Sequence, residues 1–136
     1  MHARAHGVDL VEIARITAML DRHAERFAER CFTVAERAYA DAGKRRRSER
    51  YAGRFAAKEA VLKALGTGWS SGIAWTDVEV LRAPSGQPGV RLTGEAAAIA
   101  ARRGIDHWLI SLSHTDDLAM ASVIGVGSTG TSAPES

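Results

Sequence analysis

The sequence has one cysteine, no long apolar run and little net charge, and each shortage narrows what the chain can be. With Cys31 alone no internal disulfide can form, and we expect this side chain to be a small core residue. No stretch reaches the roughly 18 apolar residues of a membrane-spanning helix, and residues 1–6 lack the apolar core of a secretory signal. We therefore expect a cytoplasmic protein without membrane association.

The small net charge also bears on nucleic-acid binding. The formal charge is +2, and the positive residues cluster at residues 15–30 and in the run 44–47. These clusters could hold nucleic acid, but few aromatic residues lie among them and the net charge is low for that role. We expect no nucleic-acid partner, and a gel-retardation assay with DNA and RNA would test this.

The length and the residue patterns predict one α+β domain. The 136 residues suit a single domain, which we place at residues 1–125, followed by a disordered Gly/Ser/Thr-rich tail at residues 126–136. Alternating or apolar segments predict strands at 8–11, 77–81, 90–92, 108–113 and 118–124. Periodicity and capping signals predict four helices, at 12–30, 34–43, 49–65 and 94–103. The first is either continuous or broken near Asp21. The second follows a Thr33/Glu36 capping box, and the third lies between Ser48 and Gly66. The expected fold is an antiparallel sheet packed against one long helix.

The long helix carries the strongest chemical signal. At about 100° per residue, one apolar stripe contains Tyr51, Phe55, Leu62 and Leu65. Lys58 projects into this stripe, where it needs an anion or an acceptor unless it reaches solvent. Glu59 and Lys63, four residues apart, offer a carboxylate and an ammonium side by side, which suits a metal ion and phosphate oxygens. The alternative is an ordinary solvated helix pair.

Two further segments could complete such a site. Asp9 lies in the short, partly apolar segment 8–11, at or near the end of a possible strand, and could be a second metal ligand, or a turn or cap residue. His114 follows a predicted strand and could bind phosphate, handle a proton or be structural. The amides of residues 66–68 could cradle a phosphate, although a helix C-cap at Gly66 explains them equally well.

These segments resemble the three motifs of holo-[acyl-carrier-protein] synthases, the small 4′-phosphopantetheinyl transferases. Residues 7–16 (GVDLVEIARI) are similar to the first motif, residues 54–68 (RFAAKEAVLKALGTG) to the second nearly residue for residue, and residues 111–116 (SLSHTD) to the third. The resemblance runs from about Ala3 to Ile124 in the family's order and spacing. The polar segment 3–6 departs from the family's apolar first strand and predicts a less buried strand here.

The resemblance implies transfer of the 4′-phosphopantetheine arm of coenzyme A to a serine of an acyl carrier protein, with release of adenosine 3′,5′-bisphosphate. It implies that Asp9 and Glu59 bind Mg²⁺, that Lys63 binds phosphate, and that Arg54, Lys58, Gly66 and His114 lie near coenzyme A. A water or carboxylate oriented by Glu59 or Asp9 would accept the serine proton. The carrier could belong to fatty-acid or polyketide synthesis.

The resemblance also implies partner surfaces. On a continuous first helix, one basic stripe with an apolar anchor comprises Arg15, Met19, Arg22, Arg26 and Arg30. An acidic acyl carrier protein is the expected partner of this stripe, and a solvated helix face is the alternative. The run 44–47 could reach the 3′-phosphate of coenzyme A or remain solvated. The family implies a homotrimer with active sites between protomers.

Overall fold

The computed structural model describes residues 1–69 and 72–128. In these residues five strands and four helices follow one another, with short 3₁₀ turns before the third helix and before the second strand. Their bounds in chain order are β1 His2–Glu12, α1 Ile13–Cys31, α2 Val34–Asp41, α3 Arg47–Leu65, β2 Val78–Arg82, β3 Pro88–Leu92, α4 Gly94–Arg102, β4 His107–His114 and β5 Leu118–Gly127.

The strands form two antiparallel units. A three-stranded sheet has the order β1-β5-β4, and β2 and β3 form a separate hairpin. Asp9 lies opposite Ala121 in the first pair of the larger sheet, so it is a strand residue and not a turn or a cap. Helix α3 packs against β1 and β5, which confirms the predicted α+β fold with one dominant helix.

Helix α3 is the centre of the core. The predicted stripe is buried, and several small residues on other sides of the helix are buried too, namely Ala52, Ala56, Ala57, Ala60 and Ala64. Because alanine side chains are short, neighbouring elements approach the helix backbone closely. The closest approach is at Gly7 of β1, where an added Cβ would lie 2.0 Å from the carbonyl oxygen of Ala60. Gly7 thereby allows β1 to place Asp9 against α3.

Most predicted boundaries hold, and the helix ends follow the expected capping chemistry. Thr33 and Glu36 form the capping box of α2, and Gly66 ends α3 in a left-handed conformation with φ of 79°. Helix α1 continues through Asp21 without a break. The Ser48 cap was wrong, because the 3₁₀ turn Lys44–Arg46 leads directly into a helix that begins at Arg47.

The two terminal strands are longer than predicted. Strand β1 begins at His2, since its pairing with β5 holds the polar segment 3–6 in the sheet, where only Gly7 and Val11 are buried. Strand β5 continues to Gly127, and Ser128 then donates to the Asp106 carboxylate, so the sheet extends past residue 125 into the predicted tail. The rest of that tail, 129–136, lies outside the described residues. In the described part of the chain no helix is both long and apolar enough to span a bilayer.

Candidate functional site

The sheet and α3 bring Asp9, Glu59 and Lys63 together. Lys63 Nζ lies 3.0 Å from Asp9 Oδ1 and donates to the carbonyl oxygen of Val8 at 3.1 Å. The expected Glu59–Lys63 pair is therefore replaced by an ion pair between the helix and β1. Lys63 remains exposed, with 56% of its side chain accessible, while the Asp9 side chain is only 14% exposed. The arrangement leaves an ammonium at the surface beside two carboxylates.

Glu59 has an unusual electrostatic environment. Partial burial raises the pKa of its carboxyl group, and the nearby Asp9 raises it further, whereas a hydrogen bond from Trp69 and the charge of Lys63 oppose these effects. Trp69 Nε1 lies 3.5 Å from Glu59 Oε2. The Trp69 ring stacks on Trp75 with 3.7 Å between centroids, and Trp75 stacks on Phe55. An aromatic column therefore stands beside Glu59.

Lys58 has a different role from the one expected. Its side chain is fully buried, and Nζ lies 2.8 Å from Glu36 Oε1. It also donates to the backbone carbonyls of Trp75, at 3.2 Å, and Val78. The predicted need for an acceptor is thus met inside the core, because Glu36 and the carbonyls use all three donors of the ammonium. Lys58 is therefore a structural cation, and its placement beside coenzyme A phosphates was wrong.

Arg54 and His114 border a second, basic region. A cleft of about 260 Å³ is lined by both residues together with Arg46, Arg50 and Arg82. His114 is at the end of β4, and its Nδ1 lies 2.8 Å from Glu49 Oε2. An adjoining cleft of about 340 Å³ shares Arg54 and Arg82 and continues along the β2–β3 loop. This concentration of guanidinium groups suits a phosphorylated ligand.

The two regions lie on different sides of α3. Arg54 and Glu59 are five positions apart in α3, so their side chains point about 140° apart around the helix axis. Arg54 and Lys63 are nine positions apart, which corresponds to about 180°. The groove that contains Glu59 shares no lining residue with either basic cleft. One chain therefore presents the carboxylates and the basic cleft on different faces.

The glycine turn and the basic run also have defined places. The Gly66 amide donates to the carbonyls of Leu62 and Lys63, so it serves the helix C-cap and is not available to cradle a phosphate. Residues 44–46 form a 3₁₀ turn rather than a bare loop, and Arg46 contributes to the basic cleft beside His114. The run 44–47 thus reaches the cleft through Arg46.

The basic stripe of α1 borders the groove that contains Glu59. Arg15, Arg22, Arg26 and Arg30 are exposed and Met19 is half-buried on a continuous helix. All of these except Arg22 line a groove of about 510 Å³, with Glu59 and Trp75 on its opposite side. The groove has an apolar floor that includes Phe27 and Phe55. The structure thereby joins the predicted docking stripe to the carboxylate site.

Sequence reasoning missed Tyr39, Arg82 and Trp69. Tyr39 and Arg82 contribute to both basic clefts, and Trp69 donates to Glu59. Arg82 ends a strand, and Tyr39 lies on a short helix, so neither stands within a recognisable motif. Trp69 directly follows the glycine turn that ends α3, and an aromatic residue at that place is a signal that could have been noticed.

Comparison with known proteins identifies the class to which this fold and site belong. The model of the 4′-phosphopantetheinyl transferase superfamily matches residues 5–123, and the chain belongs to that family. Within it, the chain is similar to holo-[acyl-carrier-protein] synthases. It is 54% identical over 123 residues to the holo-[acyl-carrier-protein] synthase of Desulforudis audaxviator strain MP104C, which covers 89% of this chain and 91% of the relative.

Solved structures of such synthases have the same fold. The structure from Neisseria meningitidis superposes with a TM-score of 0.82 at 27% identity, covering 92% of this chain and 99% of that one. The structure from Bacillus anthracis, a complex with CoA (3′,5′-ADP), has a TM-score of 0.75 at 34% identity and covers 93% of this chain and 98% of that one. The predicted family and enzyme class are confirmed.

Proposed function

We propose that this chain transfers the 4′-phosphopantetheine arm of coenzyme A to a serine hydroxyl of an apo acyl carrier protein and releases adenosine 3′,5′-bisphosphate. The observation that carries the proposal is the meeting of Asp9, Glu59 and Lys63 on β1 and α3, in a chain that belongs to this transferase family. The carrier would belong to fatty-acid or polyketide synthesis. A cytoplasmic location stays a prediction from the sequence.

The donor set at this site fits Mg²⁺. Proteins usually hold Mg²⁺ through one or two carboxylates, with water and substrate phosphates completing an octahedron. Asp9 and Glu59 offer two carboxylates. Among residues 1–69 and 72–128 there is no group of three or more His, Cys, Asp or Glu side chains that could hold a metal ion by itself. The mutual repulsion of Asp9 and Glu59, which contributes to the raised pKa of Glu59, is what a divalent cation would relieve. When bound, Mg²⁺ would supply charge neutralisation for the pyrophosphate.

The remaining chemistry belongs to the side chains of the chain and of its partners. The serine oxygen forms a bond to the phosphorus of the phosphopantetheine, and the bond from that phosphorus to the adenosine bisphosphate breaks. Phosphoryl transfer of this kind depends mainly on positioning and charge. Lys63, which pairs with Asp9, would neutralise the phosphates, and Glu59 or Asp9 would orient the water or carboxylate that accepts the serine proton. Arg54 and His114 would hold the nucleotide end in the basic cleft.

We infer that complete sites form between protomers of a homotrimer. The carboxylates and the basic cleft lie on different faces of α3, so a second chain would supply the missing half of each site. The face of the larger sheet that points away from α3 exposes apolar side chains, namely Val8, Leu10, Leu109 and Met120. Such an exposed apolar face is typical of an assembly surface.

The groove along α1 is the proposed docking place of the carrier. Arg15, Arg22 and Arg26 provide exposed positive charge for an acidic helical partner, and Met19 provides an apolar anchor. Because the same groove reaches Glu59, a carrier seated on α1 would bring its serine to the carboxylate site.

Intact mass spectrometry tests the proposed reaction directly. An apo acyl carrier protein is incubated with the chain, coenzyme A and Mg²⁺, with and without a chelator. We expect a mass gain of one phosphopantetheine that disappears with chelator and with the Glu59→Ala variant, whose fold is checked by circular dichroism. No gain with fatty-acid, polyketide and peptidyl carriers would contradict the proposed function. Full activity of Glu59→Ala would contradict the metal assignment alone.

A further inference from the structure

Three arginines converge on the ring of Tyr39. The guanidinium carbon lies 4.0 Å from the ring centroid for Arg54, 4.1 Å for Arg50 and 5.5 Å for Arg82. Tyr39 comes from α2, two of the arginines from α3 and the third from the end of β2. The ring is therefore the meeting point of three elements, and it lines both basic clefts.

These cations lie apart from the carboxylates of the described residues, although the charge of Glu36 still acts on Arg54 at longer range. In the described part of the chain, no carboxylate lies within ion-pair distance of Arg50, Arg54 or Arg82. Arg54 is only 5% exposed, and its buried Nε has no hydrogen-bond partner among the described residues. Arg50 donates to the backbone carbonyl of Tyr39, at 2.7 Å. Like charges held this close repel one another, so an attractive group must keep them in place.

An aromatic ring is suited to that task in a way that a carboxylate is not. The negative face of the ring attracts guanidinium groups but adds no net charge. A carboxylate at the same place would bind the arginines more strongly and would cancel part of their charge. A stack whose only role was to join α2 to α3 would need one arginine, and it would not need an unpaired buried Nε beside a cleft.

We propose that Tyr39 is a positioning residue that holds Arg50, Arg54 and Arg82 as an uncancelled cluster for a phosphate group at the nucleotide end of coenzyme A. This rests on the proposed function, since coenzyme A is taken as the ligand of the basic cleft. The phosphate concerned is the 3′-phosphate or one of the two in the pyrophosphate, and these share the chemistry that the cluster recognises.

Binding of 3′,5′-ADP, measured by titration calorimetry without carrier protein, tests the inference apart from transfer. Tyr39→Phe keeps the ring and should bind within about twofold of the wild type. Tyr39→Leu removes the ring and should bind about tenfold or more weakly, as the loss of cation–π contacts implies. Trifluorinated phenylalanine at position 39 keeps the shape of the ring but weakens its negative face, and this variant should also bind 3′,5′-ADP more weakly. It tests the role of the ring even if Tyr39→Leu does not fold.

Further ligands identify the phosphate and separate the two proposals. If the cluster holds the 3′-phosphate, Tyr39→Leu should raise KM for coenzyme A much more than for 3′-dephospho-coenzyme A and leave KM for the carrier unchanged. An equal rise in KM for coenzyme A and for 3′-dephospho-coenzyme A would assign the cluster to the pyrophosphate. Unchanged 3′,5′-ADP binding by Tyr39→Leu, or an equal loss in Tyr39→Phe, would overturn the role of the ring even if transfer is normal. Ring-dependent binding without transfer would instead overturn the proposed function.

Discussion

Two lysines of α3 have opposite surroundings. Lys58 has no exposed surface and is held by Glu36 and two carbonyls, whereas Lys63, five residues further on, is exposed and joins the helix to Asp9. A buried ion pair gains little over an apolar pair, but the loss of one partner leaves an uncompensated charge in the core. The same substitution should therefore affect stability much more at Lys58 than at Lys63.

Lys58→Met should lower the free energy of unfolding by about 3–5 kcal/mol, because Glu36 would remain buried without its cation. Lys63→Met should lower it by less than about 1 kcal/mol, since the Lys63 side chain is exposed, but should abolish most of the transfer activity. Urea unfolding and a transfer assay on both variants check this. Similar stabilities for the two variants would contradict the structural role of Lys58.

Cys31 should be nearly inert in the folded chain. Burial raises the pKa of its thiol to about 11 from 9.0, so at pH 8 the thiolate fraction falls about 100-fold relative to an exposed cysteine. Because the folded pKa is the higher one, the associated stability is present below pH 9 and is lost as the pH rises towards 11. Labelling with Ellman's reagent should be slow in the native protein and fast in urea. Rapid native labelling at pH 8 would contradict the burial.

At the scale of elements, the contact between β1 and α3 positions the carboxylate pair. Gly7 lets the strand lie against the backbone of α3 at Ala60, and two residues later Asp9 meets Lys63. The helix backbone cannot yield as a flexible side chain would. Any side chain at position 7 would therefore move the strand and, with it, Asp9.

Gly7→Ala should lower the free energy of unfolding by about 1–3 kcal/mol and reduce kcat/KM, because its Cβ would lie 2.0 Å from the Ala60 carbonyl oxygen. Gly89→Ala in β3 is the matched control, since an added Cβ there meets no atom within 4 Å and the change should stay within about 0.5 kcal/mol. Thermal unfolding and transfer kinetics of both variants provide the measurement. Equal effects at the two positions would rule out the close approach as the cause.

The stripe on α1 gives a prediction about the carrier. Arg15→Glu and Arg22→Glu should each raise KM for the acyl carrier protein about tenfold or more and leave KM for coenzyme A nearly unchanged, because both arginines are exposed on α1. Arg102→Glu, on α4, is the control and should change neither value. Equal changes in both KM values for the α1 variants would argue against this helix as the docking face.

Short sequence motifs predicted some helix ends correctly, but they did not predict which distant residues contact one another. The capping box at Thr33 and the glycine at position 66 placed helix ends correctly, because these signals act within a few residues. The helix projection showed that Lys58 needs an acceptor, but its partner Glu36 is 22 residues away and only the packed core brings the two together. Tyr39 escaped notice for the same reason, since two of its arginines come from α3 and the third from the end of β2.

At the scale of the whole molecule, the larger sheet has one covered and one open face. Leu10 lies opposite Met120, and Val8 opposite Ser122, so these side chains share the face that points away from α3. Leu10 is 58% exposed and Leu109 is 50% exposed, which is unusual for apolar residues of a central sheet. The proposed trimer would cover this face.

Light scattering coupled to size exclusion should give a mass of about three chains of 14.5 kDa for the wild type. Leu10→Lys should give monomers and lose activity, because a charge would be buried at the interface and the shared sites would be split. Val34→Lys is the control, since Val34 is 73% exposed on α2, outside the sheet face. A monomeric wild type with full activity would contradict the proposed assembly.

The buried pair of Lys58 and Glu36 also constrains how the chain can vary in length. Because Glu36 and two backbone carbonyls hold the Lys58 ammonium, these contacts fix the rotation of α3 about its own axis. One residue inserted after Lys58 would turn everything beyond it by about 100° and carry Lys63 away from Asp9. We therefore expect variation in length in loops such as the one between β2 and β3, while the helix itself can accept substitutions but not insertions.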